Sequence, residues 1–175
     1  MSETINFMIN KEWKKDYKRE RKNFLLTIAK KCENSDEISD IIGGMLIYNQ
    51  LIEQLLKEVI ICSIQYIKAE IWPTSVRMNL NFDKATFGTL IEYFKQFAVE
   101  EYNYDVITKH LNSIKKTRNN VVHHLFDIPD IENIKYELKE YYDKSYKLVL
   151  LLNKYYDQIS YNLHDLENRV EWNKL

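Results

Sequence analysis

Glycine and proline are scarce in this chain of 175 residues, which contains three glycines and two prolines. Because these residues form most tight turns, their scarcity argues against many short strands and favours a few long elements. Cysteine is also rare, and Cys32 and Cys62 lie within apolar patterns without metal-ligand spacing. We therefore expect a cytoplasmic protein with reduced structural thiols, no metal and no cofactor.

Long apolar runs and a strong net charge are absent as well. No apolar run is long enough to cross a bilayer and the N-terminal residues are polar, so we expect neither a membrane span nor a signal peptide. The formal net charge of −1 excludes a protein that coats nucleic acid by bulk electrostatics. Residues 106–126 nevertheless carry four Lys/Arg, three of the four histidines and no acid. This run is either a solvated helix face or a binding surface.

Apolar side chains recur at spacings near three and four along five segments, which predicts an all-α, up-and-down bundle of five helices. The predicted helices are residues 5–32, a helix from Asn34-Ser35-Asp36 to Pro73, a third capped by Asp83, residues 103–126, and a fifth that follows Pro129-Asp130. The fifth pattern is longer than a usual globular helix, so it either breaks once or extends beyond the bundle. No repeat or linker divides the chain, and we expect residues 1–175 to form one domain.

Arg118 occupies an unusual position in the fourth predicted helix. An α-helix turns by about 100° per residue, which places the helix's apolar residues within about 60° of Arg118 on either side. These residues are Tyr104, Ile107, Leu111, Ile114, Val121, Val122 and Leu125. A buried arginine requires a carboxylate, backbone carbonyls or a polar cavity that an anion can enter. Arg118 is therefore either half of an internal ion pair or part of a phosphate site.

Two adjacent histidines follow Arg118 on the same helix. Position 123 lies about 140° round an ideal helix from Arg118, and position 124 lies about 120° in the opposite direction. Asn119 and His123 are four residues apart and share a face. Arg118 and His123 can meet in two ways: the helix end is distorted, or a two-fold partner brings its own copy of the motif against this one.

The segment from Lys116 to Phe126 reads KTRNNVVHHLF and resembles the signature of the HEPN superfamily. That signature is an arginine, a polar residue that is often asparagine, and a histidine a few residues later. Arg118, Asn119 and His123 match it position by position, near the end of an amphipathic helix as in the superfamily. The likeness covers the helical layout from about residue 35 to about residue 160.

The resemblance implies a HEPN-like bundle that forms a homodimer with two motifs in a cleft. It also implies a metal-independent endoribonuclease that acts as a toxin or in phage defence by abortive infection. His123 would be the acid/base for the ribose 2′-OH, Arg118 would stabilise the phosphorane, and Asn119 would orient the phosphate or the histidine. His124 is the alternative acid/base. The expected partners are RNA, a second copy of the chain and an antitoxin protein, and the residues expected to bind RNA are Lys109, Lys115 and Lys116.

The sequence is also consistent with two other functions. The chain also resembles the mannitol-operon repressor family, in which a similar motif belongs to a non-catalytic helical regulator. A third hypothesis is a helper of a larger defence complex, whose cleft binds RNA or a nucleotide without cutting. One toxin subgroup of the superfamily carries a modifiable tyrosine two residues after the histidine, where this chain has Leu125, or Phe126 counted from His124. We therefore do not expect control by modification at that position.

Overall fold

The computed structural model describes residues 19–71, 80–99, 103–124 and 131–172. These residues form five helices and no strand, which confirms the prediction of an all-α fold. The helices are α1 (residues 19–33), α2 (Ile38–Glu70), α3 (Phe87–Phe97), α4 (Tyr104–His124) and α5 (Ile131–Trp172). The predicted part of the first helix that precedes residue 19 lies outside the described residues.

The chain divides into two compact units, residues 1–51 and residues 52–175, and the boundary falls within α2. In the first unit a turn joins α1 to α2, as the sequence Asn34-Ser35-Asp36 predicts. The Asn34 N–H donates to the Lys31 carbonyl, and the Glu37 N–H donates to Ser35 Oγ, both at 3.2 Å. These bonds satisfy backbone groups that the helix ends leave without partners. That residues 1–175 form a single domain stays a prediction.

The second unit contains the rest of α2 together with α3, α4 and α5. Helices α4 and α5 run antiparallel. Lys144 of α5 donates to Ser113 of α4, and the next lysine along α5, Lys147, lies near His110, which is one turn before Ser113 on α4. The predicted apolar stripes are confirmed as the core of this unit. The fully buried members include Ile107, Leu111 and Ile114 of α4 and Leu138, Tyr141, Leu148 and Leu152 of α5.

Helix α5 is continuous over 42 residues, so of the two predicted alternatives it extends rather than breaks. No described side chain beyond Ile159 is buried. The helix therefore continues about three and a half turns past its last buried side chain.

The predicted start of α3 at Asp83 is wrong, because Thr86 is the N-cap. Thr86 has an extended backbone, and its Oγ1 accepts from the Thr89 N–H at 3.2 Å. Upstream, Asn81 Oδ1 accepts from the Lys84 N–H, which stabilises a bend rather than a helix. Threonine and aspartate are both good N-caps, so residue type alone does not decide between Asp83 and Thr86.

Tyr155 of α5 clamps the segment that leaves α3. Its buried hydroxyl accepts from the Val99 N–H at 2.6 Å and donates to the Val99 carbonyl at 3.2 Å. Both polar groups of one backbone residue are thus satisfied by a single side chain, which fixes the beginning of the α3–α4 connection against α5.

Removal of this hydroxyl should destabilise the fold. We expect Tyr155→Phe to lower the free energy of unfolding by roughly 1–2 kcal/mol, because both part-buried backbone groups of Val99 lose their partner. Urea unfolding followed by circular dichroism measures the change. Tyr161→Phe on the same helix is the control, since Tyr161 is 72% exposed and should show almost no effect. Equal effects of the two substitutions would contradict the clamp.

Candidate functional site

Arg118 pairs with a carboxylate without being sealed from solvent. Its Nη1 donates to Glu53 Oε1 of α2 at 3.4 Å, and its guanidinium lies 5.6 Å from the centre of the Phe87 ring of α3. The side chains of Arg118 and Glu53 are 34% and 30% exposed. Of the two alternatives for Arg118, the ion pair is present, but the guanidinium still borders on water. We call Arg118, Glu53 and Phe87 the Arg118 anchor.

The Arg118 anchor orients the guanidinium more than it stabilises the fold. A partly exposed ion pair typically contributes up to about 1 kcal/mol, and a cation–π contact at an exposed site about 0.5–1 kcal/mol. The Glu53 bond engages Nη1, whereas a guanidinium carries N–H donors on all three nitrogens. Arg118 is thus a permanent cation in a fixed place, with the chemistry to receive an anion from the solvent side.

A tyrosine of α5 completes the surroundings of the anchor. Burial raises the pKa of the Tyr141 hydroxyl well above its ordinary value, while the positive charge of Arg118 acts in the lowering direction. Tyr141 therefore stays protonated and neutral at any physiological pH. Helices α2, α3, α4 and α5 each contribute one side chain to this region.

The backbone of α4 stays helical through His124, so the helix between Arg118 and His123 is not distorted. Distortion of the helix end was one of the two ways in which Arg118 and His123 could meet, and α4 shows no such distortion. Positions 118 and 123 are therefore about 140° apart round the helix and about 7.5 Å apart along it. The side chains of His123 and His124 lie outside the described residues, as do Leu125 and Phe126. Asn119 is exposed.

The three lysines predicted to bind RNA do not form one group. Lys109 and Lys116 are exposed and lie on the same side of α4 as Asn119 and position 123. We call this side the outer face. Lys115 lies beside α3 instead. Its Nζ is 3.2 Å from the point that a Cβ atom would occupy at Gly88, in the first turn of α3. The structure thus places Lys109 and Lys116 together and Lys115 beside α3.

Glu53 is the functional-site residue that sequence reasoning missed. Its signal was a carboxylate in the stretch Leu51 to Leu56, where Gln54 is the one other polar residue, next to the stripe of α2 that is buried. That position alone does not identify a partner, because 65 residues separate Glu53 from Arg118.

The described residues contain no group of three or more His, Cys, Asp or Glu side chains that could hold a metal ion. Their helices also include none with the length and apolar character needed to span a membrane. No protein-family model, curated protein or solved structure matches the chain.

The exposure of the Arg118 anchor predicts a modest energetic cost for breaking it. We expect Glu53→Gln to lower the free energy of unfolding by about 1 kcal/mol or less, because Arg118 remains in contact with water. Arg118→Ala should cost about 1–2 kcal/mol, since the contact of the guanidinium with the Phe87 ring is lost as well. Chemical unfolding of both variants and of the double variant measures these values and their coupling. Glu92→Gln, which breaks the surface pair with Lys95, is the control. A loss of about 3–5 kcal/mol for Glu53→Gln would instead indicate a sealed charge.

Proposed function

We propose that this protein is a metal-independent endoribonuclease of the HEPN type. The observation that carries the proposal is the state of Arg118, which is held by Glu53 and Phe87 with about a third of its side chain exposed. A permanent cation with a fixed orientation, open to solvent on the same helix as two histidines, suits the stabilisation of a pentavalent phosphorane. A purely structural ion pair would not require that the guanidinium stay accessible to solvent.

The proposed reaction uses the ribose 2′-OH as the nucleophile. His123 removes the 2′-OH proton as the 2′ oxygen bonds to phosphorus, and the bond to the 5′ oxygen of the next nucleotide breaks. The leaving oxygen takes up a proton, so the products carry a 2′,3′-cyclic phosphate and a 5′-hydroxyl. Arg118 neutralises the charge that develops on the phosphorane, and Asn119 donates to the phosphate. His124 is the alternative to His123.

We further propose that the active unit is a homodimer. On an unbroken α4, Arg118 and position 123 face different directions, so a site that uses both takes Arg118 from one copy and His123 from the other. The outer face would bind the RNA backbone through Lys109 and Lys116. In this proposal the protein is a cytoplasmic toxin or phage-defence component, which a partner antitoxin restrains by binding.

The second candidate is a non-catalytic helical regulator, and one observation favours it. Glu53 already binds Nη1 of Arg118, so an RNA phosphate would compete with this carboxylate for the guanidinium. In this alternative the Arg118 anchor joins α2, α3 and α4, and the protein acts through protein contacts.

Incubation of the purified protein with mixed RNA in EDTA distinguishes the two candidates. We expect the wild type to cut RNA and to leave 2′,3′-cyclic phosphate ends. Arg118→Ala and His123→Ala should each reduce the rate by roughly two to four orders of magnitude, as expected for loss of general acid–base or oxyanion help. His124→Ala, assayed in parallel, decides which histidine acts.

Lys139→Ala is the matched control for the cleavage assay, because Lys139 is an exposed residue of α5 outside the proposed site. It should cut RNA at the wild-type rate. If the wild type leaves RNA intact and Arg118→Ala only lowers the melting temperature, the regulator is the correct function. Cleavage that stops in EDTA would also contradict the proposal.

A further inference from the structure

Basic side chains from α4 and α5 meet on one side of the antiparallel pair. We call this surface, formed by His110 and Ser113 of α4 with Lys144 and Lys147 of α5, the α4–α5 flank. Lys144 Nζ donates to Ser113 Oγ at 3.0 Å and pairs with Glu140 Oε1 at 2.6 Å. These two contacts hold the ammonium of Lys144 across the helix pair.

The charges that act on His110 are positive. Burial of His110 and the charges of Lys147, Lys144 and Lys109 together lower the pKa of its imidazole, in that order of importance. Glu140 is the acid that pairs with Lys144 here, and its side chain is 63% exposed. Three lysines around one histidine raise the local positive potential, and an anion that binds among them relieves this repulsion.

The geometry leaves the donors of the α4–α5 flank accessible. Lys147 is exposed, Lys144 is 29% exposed, and His110 and Ser113 are half-buried. Each helix supplies its two residues one turn apart, so the four side chains surround a small area of surface. A neutral imidazole, two ammonium groups and a hydroxyl are the donors that proteins commonly present to phosphate oxygens.

The α4–α5 flank is distinct from the Arg118 anchor, and it adjoins the outer face at Lys109. His110 lies eight residues before Arg118, about 12 Å along the axis of α4, which is too far for one phosphate to contact both. Positions 110 and 113 lie about 80° and 140° from Arg118 in the sense opposite to position 123, and position 113 is about 40° from Lys109. A ligand that contacts the α4–α5 flank and the anchor together must therefore present more than one phosphate.

We propose that the α4–α5 flank binds a backbone phosphate of single-stranded RNA, away from the bond that is cut. Lys147 and His110 contact the phosphate directly, while Lys144, positioned by Glu140 and Ser113, supplies the second ammonium. The choice of RNA as the ligand rests on the proposed function. The site itself rests on the side chains that α4 and α5 bring together.

Binding of a labelled 2′-O-methyl oligoribonucleotide, which lacks the attacking hydroxyl, tests this site by fluorescence anisotropy. We expect the double variant Lys144→Gln/Lys147→Gln to bind about tenfold more weakly than the wild type. The slope of log K against log salt should become shallower by roughly 0.7 for each phosphate that the variant no longer neutralises. The control is Lys139→Gln/Lys154→Gln, which removes the same charge from exposed positions of the same helix. Equal reductions in affinity for the two double variants would overturn the proposal.

The titration of His110 gives a second readout, which a merely structural role would not move. Binding of the oligonucleotide should raise the pKa of His110, because a phosphate beside it opposes the effect of the lysines. Proton NMR of the imidazole, assigned with His110→Gln, measures this change. If the oligonucleotide leaves the pKa of His110 unchanged, the proposed site is wrong. The site is also wrong if inorganic phosphate at matched ionic strength shifts this pKa and the oligonucleotide does not.

Failure of this proposal and failure of the proposed nuclease can be told apart. If the wild type cuts RNA while Lys144→Gln/Lys147→Gln binds RNA as the control does, the phosphate site is wrong and the nuclease stands. If binding depends on the α4–α5 flank but no cleavage occurs in EDTA, the nuclease is wrong and the phosphate site stands.

Discussion

The contact between Arg118 and Glu53 is the constraint on which the site depends. Arg118 stands in the apolar stripe of α4, between the buried residues Ile114 and Val121, where a charge needs both a partner and a route to water. Glu53 supplies the partner at 3.4 Å and Phe87 the surface on which the guanidinium lies. Residues of α2 and α3 thus meet at the same point of α4, and they keep the cation in a defined orientation.

The Arg118 anchor is compatible with both candidate functions, and the exposure of the guanidinium favours the nuclease. A guanidinium that is paired yet a third exposed can exchange part of its contact with Glu53 for a phosphate, whereas a sealed pair could not. The unbroken α4 adds a second condition, because Arg118 and position 123 face apart. A nuclease built on these residues therefore needs two copies of the chain. A regulator needs only the pair.

The spacing of apolar residues predicted most of the fold, because the side that a helix buries can be read from its own sequence. The stripes of α4 and α5 and the odd position of Arg118 could be read in this way. The start of α3 could not, since Asp83 and Thr86 compete as caps and the bend at Asn81 decides between them. Contacts between distant parts of the chain could not be predicted either: 65 residues separate Glu53 from Arg118, and 31 separate Ser113 from Lys144. Adjacent Lys115 and Lys116 diverge because one residue turns the helix by about 100°.

The most direct test of a shared site is the activity of mixed dimers, purified through two different tags after coexpression. A dimer of one Arg118→Ala copy and one His123→Ala copy should regain about half the wild-type cleavage rate, because one of its two shared sites is intact. A dimer of one wild-type copy and one copy with both substitutions should be inactive, since each of its sites lacks one residue. If the first dimer is inactive and the second keeps half the activity, Arg118 and His123 act within a single copy and the account is wrong.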